Sequence, residues 1–569
     1  MTKIRYNILT IGVAAALGLS SCAESFLDVN SKTESNTDNF YKTEADAWRA
    51  LIGCYNGWRQ TSTSPGVGFY VASTVMGDEC YGGTGNSDGR NYQVIDRFDQ
   101  AESPADLQMF TLDWQRYYAG VYRCNELITR EEQIQWAQTG SNRGLYMGEA
   151  RALRALLYFD MVRLWGHIPL FLTPVNENRE QADPAEVYAA IFEDLKYAIE
   201  NIPDNANLTK DQFGRITKYA AEAVLARAYL FYTGYYGKEP GFTDAEGNTT
   251  GVVTKADALA AVEDVIASSN YELLDDYKDF WPAASVVANI TTPGWNTEAS
   301  TYAGDANKEV VLSMNFTPMA SYATDGAADG NRWQVMMGMR NPLSVVPYYC
   351  GWGACTVIPG FINKIYDSAD PRRKAGVIDI AGEEINGDAN FKPSYNDWRE
   401  YTGYTVKKYS PLAFYQLDDG GNLVIKNANM STGAGDMQIN NCQPYNIVRY
   451  ADVLLMAAEL GSPQAVAYMH EVRSRAGLGD IAVNKENIMA ERARELAFEG
   501  IRYWDLLRQG VEVMADAVVA GAGDVMNGGT PARVTYDKSK IVAKKGLCQI
   551  PNDQIVLSNG VLKQNEGWY

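Results

Sequence analysis

Long helical patterns with small residues on the packing face constrain the fold of this chain more than any other feature. Residues 149–164 place Ala and Leu at helical spacing on one face. Asp183 followed by Pro184 is a helix start, and an apolar stripe continues from there to residue 202. Residues 217–232 form an alanine-rich pattern, and 255–268 a fourth helix. Because small side chains let neighbouring helices approach closely, the sequence predicts helices packed in pairs.

The helical pattern partly repeats along the chain. Residues 152–159 and 224–231 resemble each other at a spacing of about 72 residues, which is roughly two helix pairs of about 34 residues each. Helices are expected again at 447–460, 464–475 and 486–508. Stacked helix pairs with an internal echo are typical of tetratricopeptide-like repeats. The predicted fold class is therefore mainly α, with a tetratricopeptide-like helix-pair scaffold.

A long irregular segment interrupts the helices. Residues 270–444 are rich in Gly, Pro, Asn, Asp and aromatic residues, with short strand-like runs such as 309–313. Loops of this length in a compact domain usually carry function. Loop 76–99 has the same composition and is expected beside this insert. The predicted divisions are 1–21 signal peptide, 22–40 lipidated tether, 41–269 helical scaffold, 270–444 ligand-binding insert, and 445–569 C-terminal helical scaffold and tail.

The N-terminus has the pattern of a bacterial lipoprotein export signal. Lys3 and Arg5 precede an apolar run over 8–19, and a Leu-Ser-Ser-Cys motif ends at Cys22. The apolar run is too short for a spanning helix, whereas Cys22 supplies the thiol that lipid transfer requires. Each buried methylene of an acyl chain contributes about 0.8 kcal/mol, so two or three chains anchor a protein stably. We expect a mature protein that begins at Cys22 and works at a membrane surface.

Composition argues against several classes of function. The 569 residues carry 50 basic and 70 acidic side chains, a net charge of −20, which repels nucleic acid and anionic headgroups. Apart from Cys22 there are seven scattered cysteines, which argues against a disulfide framework and leaves a single bridge such as Cys350 to Cys355 open. His167 and His470 are the only histidines, which disfavours zinc. No nucleic-acid partner is expected.

Catalytic motifs in the sequence are weak. Residues 85–89 match the G-x-S-x-G nucleophile elbow, but the flanking residues read as loop rather than as the strand and helix that the motif requires. Both histidines have structural explanations, one in the turn after a helix and one within a helix. Acidic pairs for glycoside hydrolysis can be found at any spacing among 70 acids, so they neither support nor exclude that chemistry. No catalytic residue is predicted.

Two acidic, glycine-containing stretches leave the binding of a structural calcium ion as an open alternative. One stretch contains Asp325, Asp329 and Asn331, and the other contains Asp418 and Asn422. Their carboxylate and amide oxygens are ligands that Ca²⁺ accepts, but neither stretch has the spacing of an EF-hand loop. The sequence therefore predicts no cofactor and no defined metal site, with structural calcium as the open alternative.

The tryptophans fall into two groups. One group lies on predicted helices and is best explained as core. The other group lies in the insert, mostly beside Gly, Arg or Asp, where an indole can stack on a sugar ring while polar neighbours bond its hydroxyls. A core role is the alternative for each tryptophan of the second group. The helical group is Trp48, Trp58, Trp114, Trp165 and Trp504, and the insert group is Trp281, Trp295, Trp333, Trp352 and Trp398.

Several segments together resemble the SusD/RagB family of outer-membrane nutrient-binding lipoproteins. The resemblance spans nearly the whole chain in the expected order, and Phe26-Leu27-Asp28 after Cys22 fits the mature start of the family. Its binding loops vary between members, so no motif transfers the ligand site residue by residue. The segments that carry the resemblance are 149–170, 214–229, 448–460, 472–478, 491–508, 549–554 and 562–568.

The resemblance implies a cell-surface lipoprotein that captures an oligosaccharide or polysaccharide without catalysis. It also implies a partner, a SusC-like TonB-dependent transporter in the outer membrane, to which the glycan is delivered. By position in the early loop, the expected contacts are three polar and two stacking residues, and those from the insert are mostly aromatic. The candidate ligand-binding residues are Asp78, Glu79, Tyr81, Arg90, Tyr92, Trp295, Trp333, Tyr349, Trp352, Arg373 and Tyr404.

Three other functions stay open at this point. Relatives in the family also take up peptides, so a peptide is the alternative cargo. A surface glycoside hydrolase would require released reducing ends, and a structural or adhesive lipoprotein would bind no polysaccharide. The acidic balance of the chain argues mildly for a neutral glycan, although loop arginines could reverse that locally.

Overall fold

The computed structural model describes residues 40–63, 65–288, 295–296, 300–317, 330–340, 345–383, 385, 395–427 and 438–569. The predicted signal peptide, the lipidation residue Cys22 and the tether up to residue 39 lie outside the described residues. So do Asp325 and Asp329 of the first acidic stretch. Trp295 is described in its backbone alone.

The molecule is mainly helical, as the sequence predicts. Five short 3₁₀ turns accompany the α-helices of the described residues, at Gln100–Glu102, Glu131–Gln133, Lys210–Gln212, Tyr277–Phe280 and Tyr395–Asp397. The α-helices are α1 Glu44–Thr63, α2 Phe69–Val75, α3 Asn91–Arg97, α4 Thr111–Thr129, α5 Arg143–Trp165, α6 Pro184–Asn201, α7 Lys218–Tyr236, α8 Lys255–Ala267, α9 Pro282–Ser285, α10 Arg332–Met337, α11 Pro359–Ile365, α12 Pro371–Gly376, α13 Tyr450–Glu459, α14 Ala465–Arg475, α15 Lys485–Glu495, α16 Arg502–Leu507, α17 Val511–Ala520, α18 Lys538–Ala543 and α19 Asn552–Leu557.

Short strands form small sheets beside the helices. The largest sheet of the described residues has four strands in the order β1-β7-β9-β8, and the others are two-stranded. The strands are β1 Cys80–Gly82, β2 Phe242–Thr243, β3 Thr249–Thr250, β4 Val287–Ala288, β5 Trp295–Asn296, β6 Val310–Met314, β7 Cys355–Val357, β8 Val377–Asp379, β9 Tyr404–Val406, β10 Ala413–Leu417, β11 Leu423–Asn427, β12 Tyr445–Arg449, β13 Gly523–Asn527 and β14 Thr530–Val534.

The long helices pack one on the next in a continuous stack. Helix α1 packs on α4, α4 on α5, α5 on α6, α6 on α7, α7 on α8, α8 on α13, and α13 on α14. Small residues allow the close approach: a Cβ added at Gly57 of α1 would lie 2.8 Å from the Cα of Gly120 in α4. The start of α6 is the predicted one, since the Asp183 carboxylate accepts from the amide of Ala185 at 2.7 Å. The tetratricopeptide-like helix-pair scaffold is thus present.

Within the described residues, no helix is both long and apolar enough to cross a bilayer.

Two predicted helices differ from the structure. The segment predicted as a helix from 447 begins as strand β12, because its backbone pairs antiparallel with β6 of the insert. The helix predicted over 486–508 is broken between α15 and α16, where Phe498 and Gly500 have φ of 62° and 72°. Glu499 lies at this break and is buried. Tertiary contacts of the Glu499 carboxylate therefore override a helical pattern that is continuous in sequence.

A buried ionic cluster fastens the insert to the C-terminal helices. Arg449, 1% exposed, donates to the carboxylates of Glu499 at 2.7 Å and Glu495 at 3.0 Å, and also to Glu309. The ammonium of Lys408, from the insert, lies 2.7 Å from Glu499. A buried charge is tolerated when it is paired and hydrogen-bonded, and each of these groups meets that condition.

The same cluster continues to α12 and α14. Arg372 is fully buried and bonds Asp370, Glu491 and Glu495. Burial alone would raise the pKa of Glu495, but the guanidinium groups of Arg475, Arg449 and Arg372 together hold it well below its usual range. The buried groups Arg372, Lys408, Arg449, Arg475, Glu309, Glu491, Glu495 and Glu499 are called the ionic cluster below.

Candidate functional site

One sheet joins the early loop to the insert. Strand β1 pairs antiparallel with β7, so Tyr81 lies opposite Thr356. Just beyond β1, Thr84 bridges Arg399, and the amide of Asn86 donates to the carbonyl of Asp397 at 3.3 Å. The expectation that loop 76–99 lies beside the insert is confirmed. Residues 83–92, 349–353 and 395–400, with the side chains of Arg332 and Arg340, are called the loop cluster below.

Arg399 holds the turn of the early loop in place. Its guanidinium donates to the carbonyls of Asn86 at 2.6 Å, Asp88 at 3.2 Å and Gly89 at 3.3 Å, and to the side chain of Gln93 at 3.2 Å. Arg399 is itself buried, and burial lowers its pKa. A fixed cation that binds three carbonyls orders the turn, so its outward side chains are presented on a defined backbone.

An ionic trio forms the polar part of the loop cluster. Arg340 donates to one oxygen of the Asp397 carboxylate at 2.7 and 3.0 Å, and its guanidinium lies 3.8 Å from Asp88. The Asp88 and Asp397 side chains are 46% and 41% exposed. Planar guanidinium and carboxylate groups at a surface can bond pairs of sugar hydroxyls.

The aromatic part of the loop cluster centres on Trp352. Its indole is half-buried, and the guanidinium carbon of Arg332 lies 5.5 Å from the ring centroid. Arg332 has no hydrogen bond or salt bridge within the described residues, and its Nε is buried. Tyr92 is half-buried nearby: burial raises the pKa of its phenol and Arg332 lowers it. The cluster therefore places a half-buried indole beside the guanidinium of Arg332.

Gly353 occupies a position in the loop cluster that leaves no room for a side chain. Its φ is 69°, and an added Cβ would lie 2.6 Å from the indole nitrogen of Trp398 and 2.7 Å from the Cβ of Arg340. Trp398 is fully buried beneath the cluster. The close approach thus places the backbone beside Trp352 directly against the core.

The C-terminal hairpin of β13 and β14 also borders the loop cluster. The amide of Glu400 donates to the side chain of Asn527 at 2.7 Å, and the amide of Gly528 donates to the carbonyl of Trp398 at 3.0 Å. Met526 and Tyr401 form an isolated bridge. A hairpin that is distant in sequence therefore supports the segment 395–400 through hydrogen bonds.

Four of the predicted contact residues are buried, and their assignment as ligand contacts is corrected. Asp78 forms a two-point salt bridge with Arg502 at 2.9 Å. Tyr81 is 1% exposed and donates to the carbonyl of Gly521 at 2.6 Å. Trp333 is 1% exposed and stacks on Tyr70 with 4.4 Å between ring centroids.

The fourth of them, Glu79, is fully buried. One carboxylate oxygen accepts from the amide of Phe498 at 2.6 Å, and the other has no partner in the described residues. Burial raises the pKa of this carboxyl to about 8, although the Phe498 amide lowers it. The contacts Asp78, Glu79 and Tyr81 were predicted from position in the early loop, which does not reveal that β1 and the two residues before it are buried.

The other predicted contacts remain candidates. Arg90 is exposed and pairs with Glu102 at 3.2 Å. Tyr349 is half-buried in the loop cluster, and Tyr404 is half-buried on β9. Arg373 lies on α12, which leads into β8 at the opposite edge of the sheet from β1. With Tyr92 and Trp352 these residues stay predictions, and the side chain of Trp295 lies outside the described residues.

Apart from Arg90, sequence reasoning missed the charged members of the loop cluster. Arg332 stands next to Trp333, which was selected in its place. Arg340 meets Asp397 from 57 positions away, a contact that a single sequence does not reveal. Asp88 had a weak signal, because an acid among glycines is typical of a tight turn: its carboxylate accepts from the amide of Gly85 at 2.9 Å.

The weak catalytic and metal motifs have structural explanations. Residues 85–89 form a turn and not a strand-to-helix elbow. His167 bonds the carbonyl of Ala182 at 3.1 Å, and His470 bonds Asp480 at 2.6 Å. The Asp418 carboxylate accepts from amides of its own hairpin turn.

Within the described ranges, no group of three or more His, Cys, Asp or Glu residues is placed to hold a metal ion. Cys355 is a buried free thiol, so the bridge to Cys350 does not form.

Comparison with known sequences gives consistent matches along the chain. The SusD family model matches residues 291–568, and a model described as starch-binding associating with outer membrane matches residues 25–230. SusD-like protein P38 of Formosa agariphila is 24% identical over 549 residues, which cover 90% of this chain and 94% of that protein. A SusD-like protein of Bacteroides ovatus is 23% identical over 531 residues, which cover 89% and 82%.

Solved structures share the architecture. A laminarin binding SusD-like protein superposes with a TM-score of 0.70 and 25% identity, covering 93% of this chain and 100% of that one. Surface glycan-binding protein A from Bacteroides thetaiotaomicron in complex with laminarihexaose also gives a TM-score of 0.70, at 22% identity, with 93% and 100% covered.

Fold and site together define a helix-repeat scaffold protein that displays an ordered loop cluster at its surface. The cluster is built from the early loop and the insert, and the C-terminal hairpin supports it. The chain belongs to the SusD/RagB family. The family and the fold class predicted from sequence are both confirmed.

Proposed function

We propose that this protein is a cell-surface glycan-binding lipoprotein that captures an oligosaccharide or polysaccharide at the loop cluster without cleaving it. The observation that carries the proposal is Trp352, a half-buried indole beside Arg332, whose guanidinium has no hydrogen bond or salt bridge to any residue that the structure describes. An indole can cover the apolar face of a pyranose while the guanidinium bonds its hydroxyls. The glycan-binding names of the family's solved structures support the same chemistry.

A calorimetric titration tests glycan capture. The ligands are laminarihexaose and a maltooligosaccharide of similar length, chosen from the laminarin and starch named among the relatives. We expect at least one neutral oligosaccharide to bind and to be recovered at its original length. Shortened products would favour the glycoside hydrolase alternative. Binding of peptides without binding of any glycan would favour the peptide alternative.

Membrane anchoring through Cys22 is part of the same proposal. Lys3, Arg5 and the apolar run 8–19 before the motif support export and lipidation. Growth with a labelled fatty acid should label the protein, and Cys22→Ala should abolish the label and release the protein from the outer membrane. A Cys22→Ala protein that stays membrane-bound and labelled would contradict this part.

Delivery of the glycan to a SusC-like TonB-dependent transporter completes the proposal. It rests on the family resemblance, and the outer-membrane association named by one family model supports it. Affinity purification of the tagged protein from detergent-solubilised outer membranes should recover a transporter in stoichiometric amount. Recovery of the protein alone, with the glycan still bound, would reject the partner and retain glycan capture.

A further inference from the structure

A large cleft borders the C-terminal tail, away from the loop cluster. It has a volume of about 750 Å³ and lies between the ends of α5 and α7 and residues 544–566. This volume falls in the range of small-molecule binding sites. Its walls are tied together: Tyr235 donates to the carbonyl of Lys545 at 2.9 Å, and the amide of Lys563 donates to Gln181 at 2.7 Å. The cleft is therefore a formed feature of the fold.

The charge of the cleft is opposite to that of the protein. Lys544, Lys545 and Lys563 line it with one acidic residue, Glu566, whereas the whole chain has a net charge of −20. Lys545 and Glu566 form a salt bridge at 2.7 Å, and both side chains are mostly exposed. Lys544 and Lys563 have no salt bridge within the described residues. A local positive field concentrates anions there, since opposite charge attracts them over a Debye length.

Lys544 is a largely buried cation in the wall of the cleft. The residue is 5% exposed, and its ammonium lies over the ring of Trp568 at 4.9 Å from the centroid. Its one hydrogen-bond acceptor in the described residues is the carbonyl of Lys540, at 3.4 Å. Burial lowers the pKa of Lys544, the nearby carboxylates of Asp99 and Asp537 raise it, and the ammonium of Lys540 lowers it. Buried cations in proteins are normally paired, whereas Lys544 has no salt bridge within the described residues.

The side walls add groups suited to a sugar. Tyr235 and Tyr236 are half-buried and line the cleft, and their rings meet edge to face at 4.8 Å. His167 is exposed at the rim. Asp183 lies near the phenol of Tyr236, but its carboxylate caps α6. Aromatic walls with lysines at one end match a ring that carries an acidic substituent.

We propose that this cleft is a second glycan site, one that holds a negatively charged sugar residue through a carboxylate or sulfate group. The lysines would bind the acidic group, and the tyrosines would contact the sugar ring. The site shares no residue with the loop cluster, so it does not depend on the proposed function of that cluster. A polysaccharide with both neutral and acidic residues would be held at two points of the surface, which raises its effective concentration at each.

The test is a titration with two anionic probes, an oligogalacturonate for carboxylate and a heparin tetrasaccharide for sulfate. The test variant is Lys545→Ala/Lys563→Ala, since both side chains are exposed and their removal leaves the core intact. The matched control is Lys255→Ala/Lys485→Ala, which removes two exposed lysines elsewhere. We expect the test variant to lose about fivefold or more in affinity for one probe, and the control to lose less than twofold.

Glu566→Gln should change the affinity for the anionic probe in the opposite direction to the lysine variant. Removing the acidic residue of the cleft frees Lys545, so affinity for the same probe should rise and should fall again with added salt. The proposal is overturned if neither probe binds at low salt, if the test and control variants bind equally, or if inorganic sulfate competes as well as the sugar does. Binding of laminarihexaose to the wild-type protein is measured in parallel. Failure of that binding would count against glycan capture at the loop cluster and would leave the proposal for the cleft unchanged.

Discussion

Arginines meet acidic groups both inside this protein and at its surface, and the two settings differ in what is left unpaired. In the ionic cluster, Arg449 is buried and each of its donors faces a carboxylate or carbonyl of the protein. In the loop cluster, Arg340 meets half-exposed carboxylates, and Arg332 meets none within the described residues. The first set holds the insert in place, whereas the second lies at the surface, where we propose that it meets a ligand.

Removing the centre of the ionic cluster should give the largest effect. Arg449→Met removes one cationic partner from each of three buried carboxylates, and breaking a buried pair in this way costs about 3–5 kcal/mol. Chemical denaturation would measure the loss. Arg332→Met is the matched control and should change the free energy of unfolding by less than about 0.5 kcal/mol. Equal losses in the two variants would break the comparison.

Trp333→Ala sharpens the distinction between core and surface tryptophans. Trp333 packs among Tyr70, Tyr409 and Tyr445, so a cavity should form and destabilise the protein by about 3–5 kcal/mol. Thermal unfolding and glycan affinity should be measured together. A stable variant with weakened binding would show that Trp333, and not Trp352, is the ligand contact.

Glu79→Gln tests the burial of an uncompensated carboxyl next to the loop cluster. With a folded pKa of about 8, above its ordinary value, Glu79 contributes stability that is present at low pH and is lost as pH rises toward 8. The variant should match the wild type near pH 5 and exceed it near pH 9, by roughly 2 kcal/mol. Denaturation at both pH values measures this. A wild-type protein that is the more stable one at pH 9 would contradict the assignment.

Gly353→Ala tests whether stability depends on the close approach of the backbone at Gly353 to Trp398 and Arg340. Positive φ and contact with Trp398 and Arg340 should together destabilise the protein by about 1–2 kcal/mol. Gly421→Ala is the control for φ alone, because Gly421 has φ of 78° and no atom within 4 Å of an added Cβ. Denaturation midpoints that shift equally in both variants would show that the contact contributes nothing.

More of the scaffold than of the site could be predicted from the sequence, for physical reasons. Helix starts such as Asp183 and Thr217 depend on neighbouring residues, and both cap the predicted helices. The break at Glu499 depends on Arg449, 50 positions away, and could not be read locally. In the early loop, Asp78, Glu79 and Tyr81 were predicted as contacts by position, but β1 and the residues directly before it are buried, so these side chains lie inside the protein.

In the insert too, the sequence does not reveal which side chains are buried. Trp352 and Trp333 look alike in sequence, each an indole in a loop-rich segment beside Arg or Gly. What separates them is packing: Trp333 fills an aromatic core, whereas Trp352 stays half-buried beside Arg332. Which of two indoles is covered depends on strands paired across distant parts of the chain, and those pairings are set by the tertiary fold.

The central claim is that the loop cluster binds glycan through Trp352, and Trp48 offers a matched control. Trp48 is also half-buried under a guanidinium, that of Arg215 at 4.8 Å, but it lies on helix α1 of the scaffold. Titration of the glycan that binds the wild type should show Trp352→Ala weakened by about tenfold, or about 1.4 kcal/mol, and Trp48→Ala unchanged. Equal affinities for Trp352→Ala and wild type, with both proteins folded, would contradict the account.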